Sequence, residues 1–429
     1  MNNRIHRSFF ILSQFIVFGL FGQINGSNQK QVNDPNLKTI QLYPYTEGQN
    51  HPTLRPAVFT LNSSEQWILE FDDLLASYRQ FHVKIVLCNL DWTPSRLRDL
   101  EFLNDYNDFI INDYEVSQGT KVKYFHYGFE LPKVKVAGNY ILEIYENDLY
   151  STPVASLRFR VLQPHISLTA SVQTPQDPTM WRTHQQVNFE LGFGNYDVRN
   201  PRSDFHIEIR QNFRDETIKT GFTANAVNGS RNTLTYRFFD NENLFKAGNE
   251  FRYVDLRSTF TRGDNIADVK QLYEDQVWLK PQIRRSDKTY LNAPDLNGRY
   301  VIETRENGHP SVTADYVNTF VVFESEELPP HQKMCFLGAF NEFECEASGE
   351  MVYDYDKGYY QTKALLKQGM YDFQFAIAEE GHSLDFTILE GDFTDTGNSY
   401  EIFVYHQPPS ARAALLVGYY LIENTGVRR

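Results

Sequence analysis

Short runs of alternating or continuous apolar residues, each broken off by Asn, Gly or Pro, fill the chain from Thr39 onward. A period of two puts every second side chain on one face, so these runs predict strands half-buried against a core. The first group is Ala57–Leu61, Trp67–Phe71, Phe81–Cys88, Val122–Leu131, Tyr140–Tyr145 and Leu157–Val161. The second is Val187–Phe193, Phe205–Arg210, Thr233–Phe239, Phe251–Phe260, Val277–Leu279, Arg299–Thr304 and Tyr316–Phe323, with long loops expected at Asn195–Ser203 and Arg262–Asp275. The third is Cys335–Leu337, Glu350–Tyr353, Gly358–Leu365, Tyr371–Ile377, Tyr400–Tyr405 and Leu415–Tyr420. Long helical periodicity is missing, so the expected fold class is all-β: three consecutive β-sandwich domains, immunoglobulin-like or early-set-like. Proline punctuates the groups at Gln163-Pro164 and Leu328-Pro329-Pro330, the latter a stiff hinge. The expected domains are therefore residues 39–162, 163–325 and 331–429.

One region departs from the strand pattern. Asp91 to Glu115 carries seven acids against Arg96 and Arg98, with Trp92, Leu97, Leu100, Phe102, Leu103, Tyr106, Phe109, Ile110, Ile111 and Tyr114 spaced too irregularly for one helix. It reads as a long crossing between strands, pinned by its aromatics, with polar groups left for a partner or its own backbone. Thr93-Pro94 is suited to open a short helix, Thr as N-cap and Pro at the first helical position. Trp92, Arg96, Asp99, Glu101, Asp105, Tyr106, Asp108 and Tyr114 are the candidate partner-binding residues.

The first residues form a secretory-signal pattern. Arg4 and Arg7 precede an apolar run from Phe9 to Phe21, so a signal peptide over residues 1–22 is expected, with cleavage after Gly22 or as late as Gly26. No Cys follows to take a lipid, and no other run approaches the ~20 apolar residues of a spanning helix. Eighteen prolines and the lack of a lipid-facing register speak against a membrane barrel, so direct membrane insertion is not expected. Removing residues 1–22 takes away two Arg and no acid, moving the net charge from −14 to −16. Such a balance excludes nucleic acid as a partner, since phosphate neutralisation needs a basic face. Of three cysteines, Cys335 and Cys345 flank a turn and can bridge if their Cα atoms come within about 7 Å, while Cys88 reads as a buried thiol.

Catalytic chemistry has little support. HExxH, P-loop, CxxC and GxSxG are missing, and Gly192-Phe193-Gly194 lacks the rest of a dinucleotide fingerprint. Asp72/Asp73 and Glu379/Glu380 are carboxylate pairs of the sort any acidic exported protein offers. The Asn104-Asp105, Asn107-Asp108 and Asn112-Asp113 series has oxygen ligands for calcium, but not the EF-hand spacing or its Gly, and Asx turns explain it better. His126, with no second His nearby, reads as a packed or surface histidine rather than a ligand. No catalytic, cofactor or metal residue is assigned.

Two resemblances complete the reading. Phe336-Leu337-Gly338-Ala339-Phe340-Asn341-Glu342-Phe343, with Gly358-Tyr359-Tyr360 and Gly369-Met370-Tyr371-Asp372-Phe373, resembles the early-set sandwich of glycogen-binding modules, with Phe343 where such modules usually carry a sugar-stacking Trp. A periplasmic carbohydrate-binding protein is the alternative this implies. The stronger resemblance spans nearly all of the mature chain. Asn62-Ser63-Ser64-Glu65-Gln66, Leu69-Glu70-Phe71-Asp72-Asp73-Leu74, Val83 through Asn89, Asp91-Trp92-Thr93-Pro94-Ser95, Asn112 to Glu115, Thr120-Lys121-Val122 and His126-Tyr127 resemble the first domain of type IX secretion system plug proteins. Gly138-Asn139-Tyr140, Asp295 to Tyr300, Asp315-Tyr316-Val317 and Arg412 to Gly418 add to it. That resemblance implies a non-enzymatic periplasmic protein whose partner is the wide outer-membrane translocon barrel, which it occludes at rest.

Overall fold

The computed structural model describes residues 30–239, 241–306, 308–345 and 349–423, so the expected signal peptide and its cleavage sites lie outside the described residues. The fold is all-β, with several sandwiches around three large cores. In the first sandwich a sheet ordered Lys30–Val32, Ala155–Leu162, Gly138–Glu146, Phe81–Cys88, Phe109–Ile111, with Val58–Thr60 parallel to Ala155–Leu162, faces a sheet ordered Leu37–Tyr45, Gln66–Asp73, Phe125–Glu130, Asp113–Val116. Phe81, Val83, Ile85 and Leu87 alternate inward from one sheet, Trp67, Leu69 and Phe71 from the other, all buried. Phe59 stacks on Trp67 with ring centroids 4.6 Å apart, and Phe71 stacks on Tyr127 at 5.1 Å. Each large apolar side chain so buried contributes about 1.5–3 kcal/mol before entropy is counted.

Gln163 and Pro164 separate the last strand of this sandwich from the next strand, Ser167–Gln173. Beyond that point the chain does not follow the expected order. The second core joins Val187, Phe189, Leu191, Ile207, Ile209, Leu234 and Tyr236 to Tyr400, Ile402, Val404 and Val417. Phe205–Gln211 pairs antiparallel with Ser399–His406, which pairs with Leu415–Glu423. The third core lies wholly between Val254 and Leu389. Its sheets join Arg252–Asp255, Tyr300–Ile302 and Gln332–Leu337 to Gly369–Glu379, and Ile266–Lys270, Gln276–Leu279 and Tyr316–Phe323 to Tyr359–Lys367 and Val352–Asp354. The third sandwich is thus inserted between two parts of the second. Leu328-Pro329-Pro330 is no hinge between them: it is the link between Tyr316–Phe323 and Gln332–Leu337, which lie in opposite sheets of the third sandwich. The strand Ile266–Lys270 falls inside a stretch expected to be loop.

The cysteines settle into one bridge, Cys335–Cys345 with Cα atoms 5.4 Å apart, and one buried thiol, Cys88, which burial pushes up to about 12. Among the described residues no helix is long and apolar enough to cross a membrane.

Candidate functional site

The Asp91–Glu115 crossing carries the chain from one sheet of the first sandwich to the other, through a single helical turn, Asp99–Phe102. Its helix does not begin at Thr93-Pro94. Asp91 Oδ1 accepts from Thr93 N and Oγ1 at 3.1 and 2.6 Å, and Pro94 bridges to Cys88, which holds this segment extended. Phe102, Leu103 and Ile111 plug the core, so the aromatics and aliphatics of the crossing do pin it.

The crossing has two halves with different work. Its first half is held by its own sandwich and by Arg412 of the second. Trp92, at φ 64°, lies under the guanidinium groups of Arg158 and Arg160, 4.6 and 4.9 Å from its ring centre. Arg160 continues to the Tyr405 hydroxyl at 2.9 Å, which donates to Asn139 at 2.8 Å. The Arg96 carbonyl and the Glu101 carboxylate both receive Arg412, the latter at 2.7 Å, and that bond holds Glu101 down at about 2. Asp99 accepts from Asn107, whose other bonds go to both backbone groups of Ile85. The side chains of Trp92, Asp99 and Glu101 are therefore engaged within the chain, whereas Arg96 is engaged through its carbonyl and keeps an exposed side chain.

The second half faces solvent. Asp105 is exposed and Tyr106 is 82 % exposed; Asp108 reaches His82 Nδ1 at 2.6 Å. Asp113–Val116 is an edge strand with all four residues exposed, and Phe109–Ile111 is the edge of the opposite sheet. Tyr114 pairs across to core Tyr127 and so points inward, yet it stays 43 % exposed, against Tyr78 at 5.0 Å. The sandwich is open along this side, which leaves inward-facing apolar groups and two free sheet edges uncovered. The Asn-Asp series does not gather into one cage: Asn107 binds Ile85, Asp108 binds His82, and Asn112 binds the Ile110 carbonyl.

A second constellation joins the first sandwich to the third, and in the sequence Asp72 stands out only as half of the Asp72/Asp73 pair, with no sign of its partner Lys367. Asp72 and Lys367 form an ion pair at 2.6 Å, each side chain 1 % exposed. Asp72 also accepts from Tyr316 at 2.6 Å and binds His126 at 2.8 Å, while Tyr316 meets Thr39 at 2.7 Å and Lys367 lies 4.2 Å over the Tyr124 ring. Glu70 sits 3.7 Å from His126. Burial depresses the Lys367 ammonium, which Asp72 partly restores; burial also disfavours charged His126, but its bonds to Asp72 and Glu70 prevail and raise it to about 9. Two acids and two bases thus share one buried site at a domain joint, where both charge signs are needed to offset desolvation. Nearby, Asp315 accepts the backbone N–H groups of Lys121 and Val122 at 2.5 and 3.0 Å.

Many residues that carry the plug-protein resemblance lie at such joints: Asp72, Lys121, His126, Asp315 and Tyr316 between first and third sandwiches, Asn139 and Arg412 between first and second. Gly138 is there too, at φ 146°, and a Cβ on it would stand 2.8 Å from the Ala414 carbonyl. The backbones of two domains meet at that glycine. Arg299 reaches the Leu54 carbonyl and stacks over Phe213 at 4.1 Å, touching all three domains' junction. A cavity of about 150 Å³ lies at this junction. Phe343, the ring in the sugar-stacking position, is buried against Phe251 and under Arg214, 4.2 Å from its centre, so no sugar platform exists there.

Residues 37–163 match the family described as type 9 secretion system plug protein 1st domain. A crystal structure of a hypothetical protein from Parabacteroides merdae ATCC 43184 superposes with a TM-score of 0.85 at 28 % identity, covering 92 % of this chain and 99 % of that one. A structure of trypsin-activated alpha-2-macroglobulin from Escherichia coli, at 10 % identity and a TM-score of 0.16 over 91 % of this chain and 24 % of that one, carries no argument. No curated protein matches.

Proposed function

The first domain of this chain, residues 37–163, belongs to the type 9 secretion system plug protein family, and on that premise we propose that the protein is a non-enzymatic periplasmic plug, which occludes the system's outer-membrane translocon barrel between transport events. The family match carries the reading. What supports it physically is the way the resemblance residues weld three sandwiches into one block. A domain of about 100 residues has a radius of gyration near 13 Å, so each sandwich is roughly 30 Å or more across. Three of them locked by buried ion pairs resist the deformation that would let solutes past.

The plug must also seat and release. A stable contact buries about 800 Å² on each side, and a releasable one favours a polar rim around a smaller apolar centre. The open side of the first sandwich has that composition: Tyr106, Tyr114 and Ile110 exposed, with Asp105, Asp108 and Asp113 around them. We assign the barrel contact to this half of the crossing, because the Trp92–Glu101 half is already engaged by Arg158 and Arg160 of its own sandwich and by Arg412 of the second. A pull-down of the tagged mature protein from solubilised outer membranes tests both claims, comparing the native chain with Asp105→Lys/Tyr106→Ser/Tyr114→Ser. Retention of a large barrel by the native chain alone supports both. Retention by both chains moves the contact elsewhere. Failure of the native chain, together with unchanged outer-membrane permeability to large antibiotics when the gene is deleted, would sink the plug reading.

A further inference from the structure

The cavity of about 150 Å³ at the three-domain junction takes a wall from every sandwich: Lys30, Arg55 and Arg158 from the first, residues 212–216 from the second, and Arg299, Glu342 and Phe343 from the third. Glu216 is exposed, so solvent reaches it. A space of this size holds a molecule about as large as benzene.

The charges in its wall run against the rest of the molecule. Each of its three acids is already held by a base of the same wall: Glu342 by Lys30 at 2.5 Å, Asp215 by Arg158 at 3.3 Å and Glu216 by Arg214 at 2.6 Å. Arg55 goes to Glu65, outside the cavity, at 2.6 Å. Arg299 is left over. Five Lys and Arg therefore meet three acids here, in a chain that has 55 acids and 41 Lys and Arg.

Arg299 has no carboxylate within ion-pair distance among the described residues. Its Nε donates to the Leu296 carbonyl at 2.8 Å and its Nη1 to the Leu54 carbonyl, while Nη2 has no partner among the described residues. Burial lowers this guanidinium, and the acids that oppose the shift, Glu401 and Asp372 first, do so without bonding its side chain. Arg214 gives only its Nε to Glu216, so both its terminal nitrogens are likewise unbonded among the described residues. Each of the two guanidinium groups rests on a ring of the wall, Arg299 4.1 Å from the centre of Phe213 and Arg214 4.2 Å from that of Phe343. A fixed planar fork with spare N–H groups is the arrangement that takes a carboxylate or phosphate by two bonds at once. Backbone strain gathers at the same place. Asn212 and Phe213, at φ 50° and 62°, and Glu342 and Phe343, at 55° and 56°, are two consecutive pairs in the left-handed region that non-glycine residues avoid. Strain of this kind collects at ligand clamps.

We propose that the junction cavity binds a small carboxylate or phosphate anion, received by Arg214 of the second sandwich and Arg299 of the third. The anion ties those two sandwiches together beside the first and so adds to the rigidity of the block. The site is separate from the first-domain surface assigned to the barrel and stands whether or not that assignment holds.

Isothermal titration calorimetry of the full mature chain at low salt, with malonate, inorganic phosphate and neutral malonamide, tests this. Malonate or phosphate should give a saturable heat with one site per chain, and the tighter of the two identifies the anion. Malonamide should bind at least about tenfold more weakly, the size of one charge-assisted contact. Arg214→Gln should weaken the anion by about the same factor, and Arg299→Lys, which keeps the charge but not the fork, should weaken it several-fold. Lys363→Gln, at an exposed position outside the cavity, should leave it unchanged. Thermal unfolding without ligand shows whether each variant is folded; if Arg299→Lys is not, Arg214→Gln decides alone. No saturable heat with either anion up to about 10 mM, equal binding of malonamide, or wild-type affinity in either folded arginine variant would each overturn the proposal.

Discussion

Raising the pH from 6 to 9 should loosen the first sandwich from the third through one side chain. His126 is held protonated against burial by Asp72 and Glu70, at about 9 against an ordinary imidazole near 6.5. A folded value above the unfolded one means the proton's contribution is complete below pH 6.5 and is lost as the pH climbs through 9. The gap is worth about 3 kcal/mol at 1.36 kcal/mol per pH unit. Its side chain is 13 % exposed, so solvent screening takes little of this. The raw profile mixes in other groups. Asp315, raised by burial, also loses its contribution as the pH rises, whereas the depressed Lys367 adds stability with pH near the lysine range. Comparison with His126→Gln isolates the imidazole. Thermal unfolding of both proteins at pH 6, 7, 8 and 9 should show the native chain ahead by about 3 kcal/mol at pH 6, roughly 10 °C for a domain of this size, with the lead gone by pH 9. Two profiles running parallel across that window would refute the claim that this proton holds the joint.

Lys367→Met should cost about 3 kcal/mol or somewhat more, the low end for breaking a buried pair because His126 still faces Asp72. Adding Asp72→Asn should recover part of that loss, and strictly additive effects in the double-mutant cycle would show the pair is not coupled. Replacing Cys335 and Cys345 by Ser should cost roughly 2–3 kcal/mol, the chain-entropy value for so short a loop. Urea midpoints under reducing and oxidising conditions check this, and a native chain indifferent to reductant would contradict it. Gly138→Ala should separate the first and second sandwiches, by strain at φ 146° and collision with Ala414, seen as earlier proteolysis between residues 162 and 167.

Strands were the legible part of this sequence. Phe81–Cys88 and Tyr316–Phe323 run between the very residues at which their apolar pattern starts and stops, because eight-residue runs rich in aromatic and β-branched side chains and bounded by polar breaks are too short for a helix and fit a strand. Leu37–Tyr45 escaped notice since Thr39 sits at φ 52° in an irregularity that breaks the alternation, and Pro44 lies within it. Pairing was not legible at all. Nothing in Phe205–Gln211 says that its neighbour is Ser399–His406 rather than a strand nearby, so an insertion looked like a succession. The crossing was visible as a crossing, while the capture of Trp92 and Glu101 by Arg158, Arg160 and Arg412 depends on contacts between distant segments. Asp72 showed only as half of an acidic pair; its meaning comes from a lysine in another domain.

The interrupted second sandwich sets an order of assembly. Synthesis delivers Ser167–Gln173, His184–Gly192 and Phe205–Gln211 early, but Ser399–His406 and Leu415–Glu423, which complete that core, emerge last. Until then its apolar face stays uncovered while a whole domain folds in between, and non-local pairing of this kind is slow. A chain shortened by some thirty residues would lose the keystone of the block, including Arg412 and the strand that meets Arg160 through Tyr405. Rigidity is thereby tied to those two strands: only a chain that already carries Ser399–His406 and Leu415–Glu423 can close the second core.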